Sequence, residues 1–392
     1  MRHLTVVLAL ALTFGLLTTA CDSGPPGSSA PPKTDAAEGS ALSTHKVSPH
    51  SVLSGKRLPG ATMRRRHAPG PQAPTGNGFG TPLFGLATAP NGDLLVADAG
   101  AGIATITGNT DIPLPGVSDM SPLGRRSMWA LKGLTGDPGD DTGQGLYRTA
   151  NGKNRLVVDL FDFEKAHNPD GADLLDSNPF DVQSLGGEAA LVADAGGNDL
   201  LRVDNEGNVE VLAVLPDEPV PTDNIKGLVG CPAPEHPFCD LPPMLPAQPV
   251  ATSVAVGPNG YYYVGELKGF PAPTGESNVW KIDPDAAGAK CPNPHCKKAF
   301  DGGFTSIIDL KFDDSGTLHV VELEENSWFA LELDPPQLAG GTVNACDLGT
   351  GSCSEVATGL PILTAITFGR DGALWATKNA LIPGKADVVE VP

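Results

Sequence analysis

Carboxylates recur in this sequence at a fixed spacing. The segments 85–98, 181–194, 253–266 and 309–322 each end on an acid: Asp98, Asp194, Glu266 and Glu322. Two of them also open on one, Asp181 and Asp309. Hard oxygen donors suit Ca2+, so Asp181 and Asp309 are candidate calcium ligands. Together with Asn178 and Glu266 they are candidates for lining a channel or pocket. Repetition supports a second reading of the closing acids. A carboxylate at a strand end accepts hydrogen bonds from the N–H groups of the turn that follows, and every copy can use one alike. The opening position varies (Gly85, Asp181, Ser253, Asp309, Ala365), which repeat geometry alone does not explain. After Glu266 the chain reads Leu-Lys-Gly-Phe-Pro, and Phe270 in that loop is placed to form an apolar wall.

The other reactive residues are seven cysteines. Cys21 stands apart, and the remaining six fall into close pairs: Cys231 with Cys239, Cys291 with Cys296, and Cys346 with Cys353. A zinc site needs two closely spaced Cys knuckles plus His, and redox work needs C-x-x-C; the spacings 8, 5 and 7 fit neither. Three local structural disulfides are expected, in keeping with an exported chain. No H-E-x-x-H, G-x-S-x-G or phosphate-binding Gly loop is present.

The first residues read as an address. After Met1-Arg2-His3, an apolar run from Leu4 to Leu17 is too short to span a bilayer and has the length of a secretory core. Small residues lead to Cys21, the expected lipid attachment point, with 1–20 as signal peptide and ordinary secretion or periplasmic release as the alternative. Residues 21–44, rich in Ser, Pro, Gly and Ala, are a flexible, disordered tether. Residues 45–81 are a linker that contains Arg64-Arg65-Arg66.

The body is acidic. Of 392 residues with net charge −20, residues 81–392 hold 18 Lys/Arg against 43 Asp/Glu, a net −25. Nucleic acid, whose affinity comes from Lys and Arg on phosphates, is excluded as a partner. With 48 Gly and 38 Pro, long helices are disfavoured and short strands with many turns are favoured.

The elements that must position the acids follow from the same repeat. Each 14-residue segment, as in GLATAPNGDLLVAD (85–98) and SVAVGPNGYYYVGE (253–266), is strand, Gly turn, strand: a β-hairpin. AITFGRDGALWATK (365–378) is a fifth copy, and LYRTANGKNRLVVDL (146–160) is a second hairpin whose partner is expected within 122–134. Six units at a spacing near 56 residues predict an all-β, six-bladed propeller of four-stranded antiparallel blades over 82–392, with seven blades as the alternative. The last unit stops after DVVEV (387–391), so its missing strand is expected from 45–81.

The strings NPDGADLLDSNPFDV (168–182), VADAGGNDLLRVD (192–204), TSVAVGPNGYYYVGELKGFPAPTG (252–275) and FTSIIDLKFDDSGTLHVVEL (304–323) resemble the ScyD/ScyE family of exported propeller proteins, within the broad NHL/SMP-30-like group. The resemblance implies a binding or scaffold module for a small molecule or an envelope protein, monomeric and held at the membrane by its lipid. The alternative it implies is a calcium-dependent hydrolase, lactonase or lyase of the SMP-30 or strictosidine-synthase-like kind. Lactonases of that kind set Glu, Asn and Asp at the starts of inner strands. Here those places hold Phe84, Phe180, Thr252, Ile308 and Thr364.

Overall fold

The computed structural model describes residues 78–124, 127–133, 143–232 and 236–391. Six antiparallel sheets succeed one another along the chain as the blades of a propeller. Blade 1 is β1 (Leu83–Thr88), β2 (Leu94–Asp98), β3 (Gly102–Thr105) and β4 (Thr110–Pro113). Blade 2 is β5 (Val117–Gly124), β6 (Ser127–Lys132), β7 (Gly145–Ala150) and β8 (Lys153–Asp159). After helix α1 (Leu160–His167), blade 3 is β9 (Pro179–Ser184), β10 (Ala189–Asp194), β11 (Asp199–Asp204) and β12 (Val209–Val214). An insertion follows with β13 (Glu218–Pro221), α2 (Asp223–Leu228) and β14 (Met244–Ala247). Blade 4 is β15 (Ala251–Val256), β16 (Tyr262–Glu266), β17 (Ser277–Ile282) and β19 (Cys296–Phe304), with the short β18 (Ala289–Lys290) between the last two. Blade 5 is β20 (Ile307–Phe312), β21 (Leu318–Glu322), β22 (Gly341–Asp347) and β23 (Ser352–Leu360). Blade 6 is β24 (Ile366–Phe368), β25 (Leu374–Lys378) and β26 (Asp387–Glu390).

The blade count is six. The strand expected from 45–81 to complete blade 6 falls outside the described residues, apart from 78–81, which form no strand. The signal, Cys21 and the tether also lie outside them. Blade 2 corrects the sequence reading. The partner expected within 122–134 is β6, which pairs with β7, but its hairpin begins earlier, at Val117, and the 14-residue frame runs from Asp119 to Lys132. Asp119 pairs with Leu131 as Asp181 pairs with Ala193 and Asp309 with Val321.

The first strand of every blade is innermost, and β1, β5, β9, β15, β20 and β24 contact one another in a closed ring. Blade faces are dry: Val96, Ala130, Val192, Val264, Val320 and Ala376 lie at the middles of the second strands and are buried. Trp129 and Trp280 fill gaps between blades, and each indole N–H is satisfied, by Gly186 O at 3.0 Å and by Glu266 Oε2 at 3.2 Å. The ring closes between blades 6 and 1 through Leu83 N to Ala380 O at 2.9 Å and Thr364 Oγ1 to Leu83 O at 2.8 Å.

The three cysteine pairs are disulfides as expected: Cys231–Cys239, Cys291–Cys296 and Cys346–Cys353. Cys346 and Cys353 face each other across the β22–β23 hairpin. The Cys291 bridge sits at the base of β18, which leaves blade 4 to pair in parallel with β12 and makes blade 3 five-stranded. Such bonds belong to an oxidising, extracytoplasmic setting. Among the described residues no helix is long and apolar enough to cross a membrane.

Because the strands are antiparallel, the loop leaving a second strand and the segment entering a first strand share one end of the ring. Helix α1, the 215–250 insertion and the long loops 267–276 and 323–340 all emerge at that end, hereafter the loop face. The other end carries tight turns, such as those at Gly260 (φ 80°) and Gly316 (φ 85°), where a positive φ requires glycine.

Candidate functional site

Five of the six inner strands carry the same irregularity near their starts. Leu83 pairs with Asp98 and Gly85 with Ala97, leaving Phe84 as an extra residue; Ser118, Phe180, Thr252 and Ile308 are extra in the same way. A β-bulge re-aims side chains. Residues at and just after these bulges turn toward the axis, where Phe84, Asp119, Phe180, Asp181, Thr252, Ile308 and Asp309 surround a void of about 10 Å³, space for roughly one water. Phe84 and Phe180 meet edge to face at 5.4 Å.

The polar members of this layer brace one blade to the next. Asp119 Oδ2 accepts from Val182 N at 3.1 Å, Asp181 Oδ2 from Val254 N at 2.7 Å, and Asp309 Oδ2 from Ile366 N at 2.8 Å. Hydroxyls at the strand entries donate in the same sense: Ser118 Oγ to Pro179 O at 2.9 Å, Thr252 Oγ1 to Ile307 O at 2.6 Å, and Thr364 Oγ1 to Leu83 O at 2.8 Å. Carboxylate or hydroxyl thus couples every junction from blade 2 round to blade 1. At the junction of blades 1 and 2, the Asp119 carboxylate lies where a Cβ on Gly85 would be, so only glycine fits there.

Three acids this close repel. Burial and the neighbouring Asp181 push Asp119 well above the usual carboxylate range. Burial pushes Asp309 up to about 6, with Lys311 opposing and Asp181 adding to the rise. Lys311 Nζ stands 3.2 Å from Asp309 Oδ1. Burial works against its charge, yet Asp309, Asp181 and Asp119 hold it more firmly protonated than an ordinary lysine. The positive charge that Asp181 and Asp309 would have drawn from calcium is supplied here by an amine. Among the described residues no group of three or more His, Cys, Asp or Glu stands at metal-ligand spacing.

The closing acids are likewise engaged. Asp98 accepts from Gly80 N at 2.6 Å and Gly100 N at 3.0 Å. Asp194 accepts from Ser177 Oγ, Asn178 N, Gly196 N and Gly197 N at 2.6–3.0 Å. Glu322 accepts from Thr305 N at 2.5 Å and Asn344 Nδ2 at 2.6 Å. In blade 6 the hydroxyl of Thr377 does this work, accepting from Thr364 N and Ala365 N at 3.0 Å. These acids fasten the entry of the first strand to the end of the second rather than ring a mouth. Asn178 is part of the Asp194 fastening and does not line the axial void.

Glu266 leaves the axis altogether. Fully buried, it takes Lys268 at 2.9 Å, Asn278 N at 3.0 Å and the Trp280 indole, and burial raises its pKa while Lys268 pulls it down. Lys268, only 1% exposed, also pairs with Glu218 of β13 at 2.7 Å. Glu218 then bridges to Lys298 at 2.7 Å, and Asn278 Nδ2 donates to Glu218 at 2.8 Å. A charge this deep is tolerable only when paired and hydrogen-bonded, and these contacts pin the insertion to blade 4. Phe270, from the same loop, packs against Phe238 at 5.4 Å, on the insertion rather than on the acids.

Between β13 and blade 4 this network floors a cleft of about 410 Å³, lined by Glu218, Glu276, Asn278, Lys298, Asp301 and Gly302 among others. Its size suits a small ligand. Of the sequence candidates, the fold brings Asp181 and Asp309 together and sets Glu266 behind this cleft; Asn178 and Phe270 stand apart from both. Asp119, Lys311, Glu218 and Lys298 were not singled out. Asp119 was detectable: it lies 13 residues before Lys132, as Asp181 does before Asp194.

No known family profile and no curated protein matches the sequence. Among solved structures, virginiamycin B lyase from Staphylococcus aureus is similar at 12% identity and a TM-score of 0.45, over 79% of this chain and 84% of that one. A streptogramin B lyase is similar at 12% identity and TM-score 0.40 over 81% and 95%. A chain of the nidogen/laminin complex is similar at 11% identity and TM-score 0.40 over 76% and 84%.

Proposed function

We propose that this chain is a ScyD/ScyE-like extracytoplasmic binding module, anchored through a lipid on Cys21, that holds a small polar molecule in the cleft between β13 and blade 4. The observation that carries the reading is the cleft's lining. Carboxylates (Glu218, Glu276, Asp301), an amide (Asn278) and an amine (Lys298) converge on one space of ligand size. Its back wall is rigid because Lys268 and Glu266 are locked behind it. Acceptors in excess over donors favour a ligand rich in hydroxyl or ammonium groups. The axial acids, by contrast, each give one oxygen to a backbone N–H of the next blade, which ties them to the ring.

The test is calorimetric titration of saccharides, polyols and small amines into the mature chain. At least one class is expected to bind, with affinity reduced about tenfold or more by Glu276→Ala or Asp301→Ala, on the scale of one charge-assisted hydrogen bond. If no class binds, or if binding ignores both substitutions, the cleft is not the site.

A further inference from the structure

Asn-Gly is a turn pair with a chemistry of its own. The main-chain N of the glycine can attack the side-chain carbonyl carbon of the asparagine, and glycine leaves that approach unhindered. Among the described residues the pair occurs three times, at Asn91-Gly92, Asn151-Gly152 and Asn259-Gly260; a fourth asparagine before glycine, Asn77, lies outside them. Asn91 and Asn259 sit in the first hairpin turns of blades 1 and 4, and Asn151 sits between β7 and β8 of blade 2.

The three turns differ in what holds the reacting atoms. Gly92 N donates to Ala89 O at 2.7 Å, and Gly260 N to Gly257 O at 2.9 Å. Asn91 Nδ2 donates to Asp93 Oδ2 at 2.6 Å, and Asn259 Nδ2 to Tyr263 Oη at 2.9 Å. Asn259 Oδ1 also accepts from Tyr261 N at 3.2 Å. At both sites nucleophile and target are tied. The β7–β8 turn is built differently. Ala150 pairs with Lys153, so Asn151 (φ 52°) and Gly152 (φ 74°) are the whole loop, the two-residue turn in which both central residues take a positive φ. Such a turn bonds its first carbonyl to its fourth N–H, which leaves the N–H of the glycine out. Among the described residues neither Gly152 N nor the Asn151 amide has a hydrogen-bond partner. Both residues are exposed, and a Cβ built on Gly152 would have no neighbour within 4 Å.

We propose that Asn151 is a site of spontaneous deamidation, the first of these three to convert as the folded chain ages. Gly152 N bonds to Asn151 Cγ, the Cγ–Nδ2 bond breaks, and Nδ2 leaves as ammonia with the proton of the Gly152 N–H. Water then opens the cyclic imide. Cleavage at Cγ gives aspartate; cleavage at the main-chain carbonyl gives isoaspartate. Aspartate tolerates a positive φ and keeps the turn, with one added negative charge. Isoaspartate routes the main chain through the side-chain carbons and lengthens a loop of two residues, which the Ala150–Lys153 register cannot absorb. The strain falls on β8. There Asn154 Nδ2 donates to Pro113 O of blade 1 at 2.8 Å, and Arg155 Nη2 to Asn205 O of blade 3 at 3.3 Å. Isoaspartate therefore loosens an outer strand that ties blade 2 to both of its neighbours.

The test ages the purified mature chain in mildly alkaline buffer, folded and in parallel unfolded in denaturant, with peptide mass spectrometry at intervals. In the unfolded chain the three sites should convert at similar rates. In the folded chain the Asn151 peptide is expected to gain one dalton about tenfold faster than those of Asn91 and Asn259, the factor set by the hydrogen bonds those two must break. Asn151→Gly removes the amide and keeps the turn, since Gly-Gly suits the same two-residue loop. Aged wild type should lose hydrogen-exchange protection in β8, and aged Asn151→Gly should keep it. Equal rates at the three folded sites, or earlier conversion at Asn91 or Asn259, overturns the proposal. So does a folded chain whose Asn151 stays intact after the unfolded chain has converted, or equal loss of β8 protection in wild type and Asn151→Gly.

Discussion

At the scale of single residues, the axis is decided by what meets each buried oxygen. A carboxylate in a dry channel costs several kcal/mol unless hydrogen-bonded or neutralised. Asp119, Asp181 and Asp309 are met by backbone N–H groups of the next blade, and Asp309 also by Lys311. The hydroxyl braces are milder versions. Thr252→Val should cost about 1 kcal/mol, one neutral hydrogen bond, and lower the melting temperature by about 2 °C. Asp309→Ala should cost more, since it also leaves Lys311 unpaired. Equal losses for the two would argue that the carboxylate brace does no more than the hydroxyl. A pH dependence follows from the raised carboxylates. Burial pushes Glu322 up to about 7 and Glu332 to about 7, and Asp309 to about 6. A folded pKa above the unfolded one means stability is full in acid and is lost as pH rises through the folded value. The melting temperature should therefore fall between about pH 5 and pH 8, and less steeply in Glu332→Gln; a rise over that window contradicts these environments.

At the scale of elements, the hairpin repeat was legible because its signal is local: apolar alternation, a Gly turn and an acid 13 residues on. The structural use of the closing acids was legible for the same reason. Blade 2 was hidden because the sequence between β5 and β6 lacks the usual Asn-Gly or Asp-Gly and the closing residue of its frame is Lys132. The bulges were hidden altogether, since an extra residue before the repeat has no sequence mark, and Phe84, Ser118 and Ile308 share no chemistry. That is why the sequence does not show that one oxygen each of Asp181 and Asp309 accepts from the next blade. Glu266 shows a different limit: its partner Lys268 lies two residues away, and only the lysine's second pairing, with Glu218 of the insertion, reveals the insertion folded back on blade 4. Disulfide pairing followed from proximity along the chain. Cys346–Cys353 spans the β22–β23 hairpin beside a largely exposed outer strand. Replacing both by Ser should cost about 2 kcal/mol by the loop-entropy model, with faster hydrogen exchange in β23 and unchanged exchange in the inner strands. Loss of protection at the axis would show that the hairpin supports more than its own edge.

At the scale of the whole molecule, the ring, the proposed binding cleft and the proposed anchor at Cys21 can be tested separately. The axial layer fills the channel and leaves about 10 Å³, too little for the ligand proposed for the cleft. Cys21→Ala should move the chain from the membrane fraction to the soluble fraction without changing its melting temperature; retention at the membrane would mean that something other than a lipid on Cys21 holds it. The central claim, a binding cleft beside a purely structural axis, is tested most directly by one paired titration. A bound saccharide, polyol or amine is measured calorimetrically against Asp301→Ala in the cleft and Thr252→Val at the axis. The account predicts that Asp301→Ala weakens binding about tenfold at unchanged melting temperature, whereas Thr252→Val lowers the melting temperature at unchanged affinity. Binding lost with the axial hydroxyl and indifferent to Asp301 would contradict it.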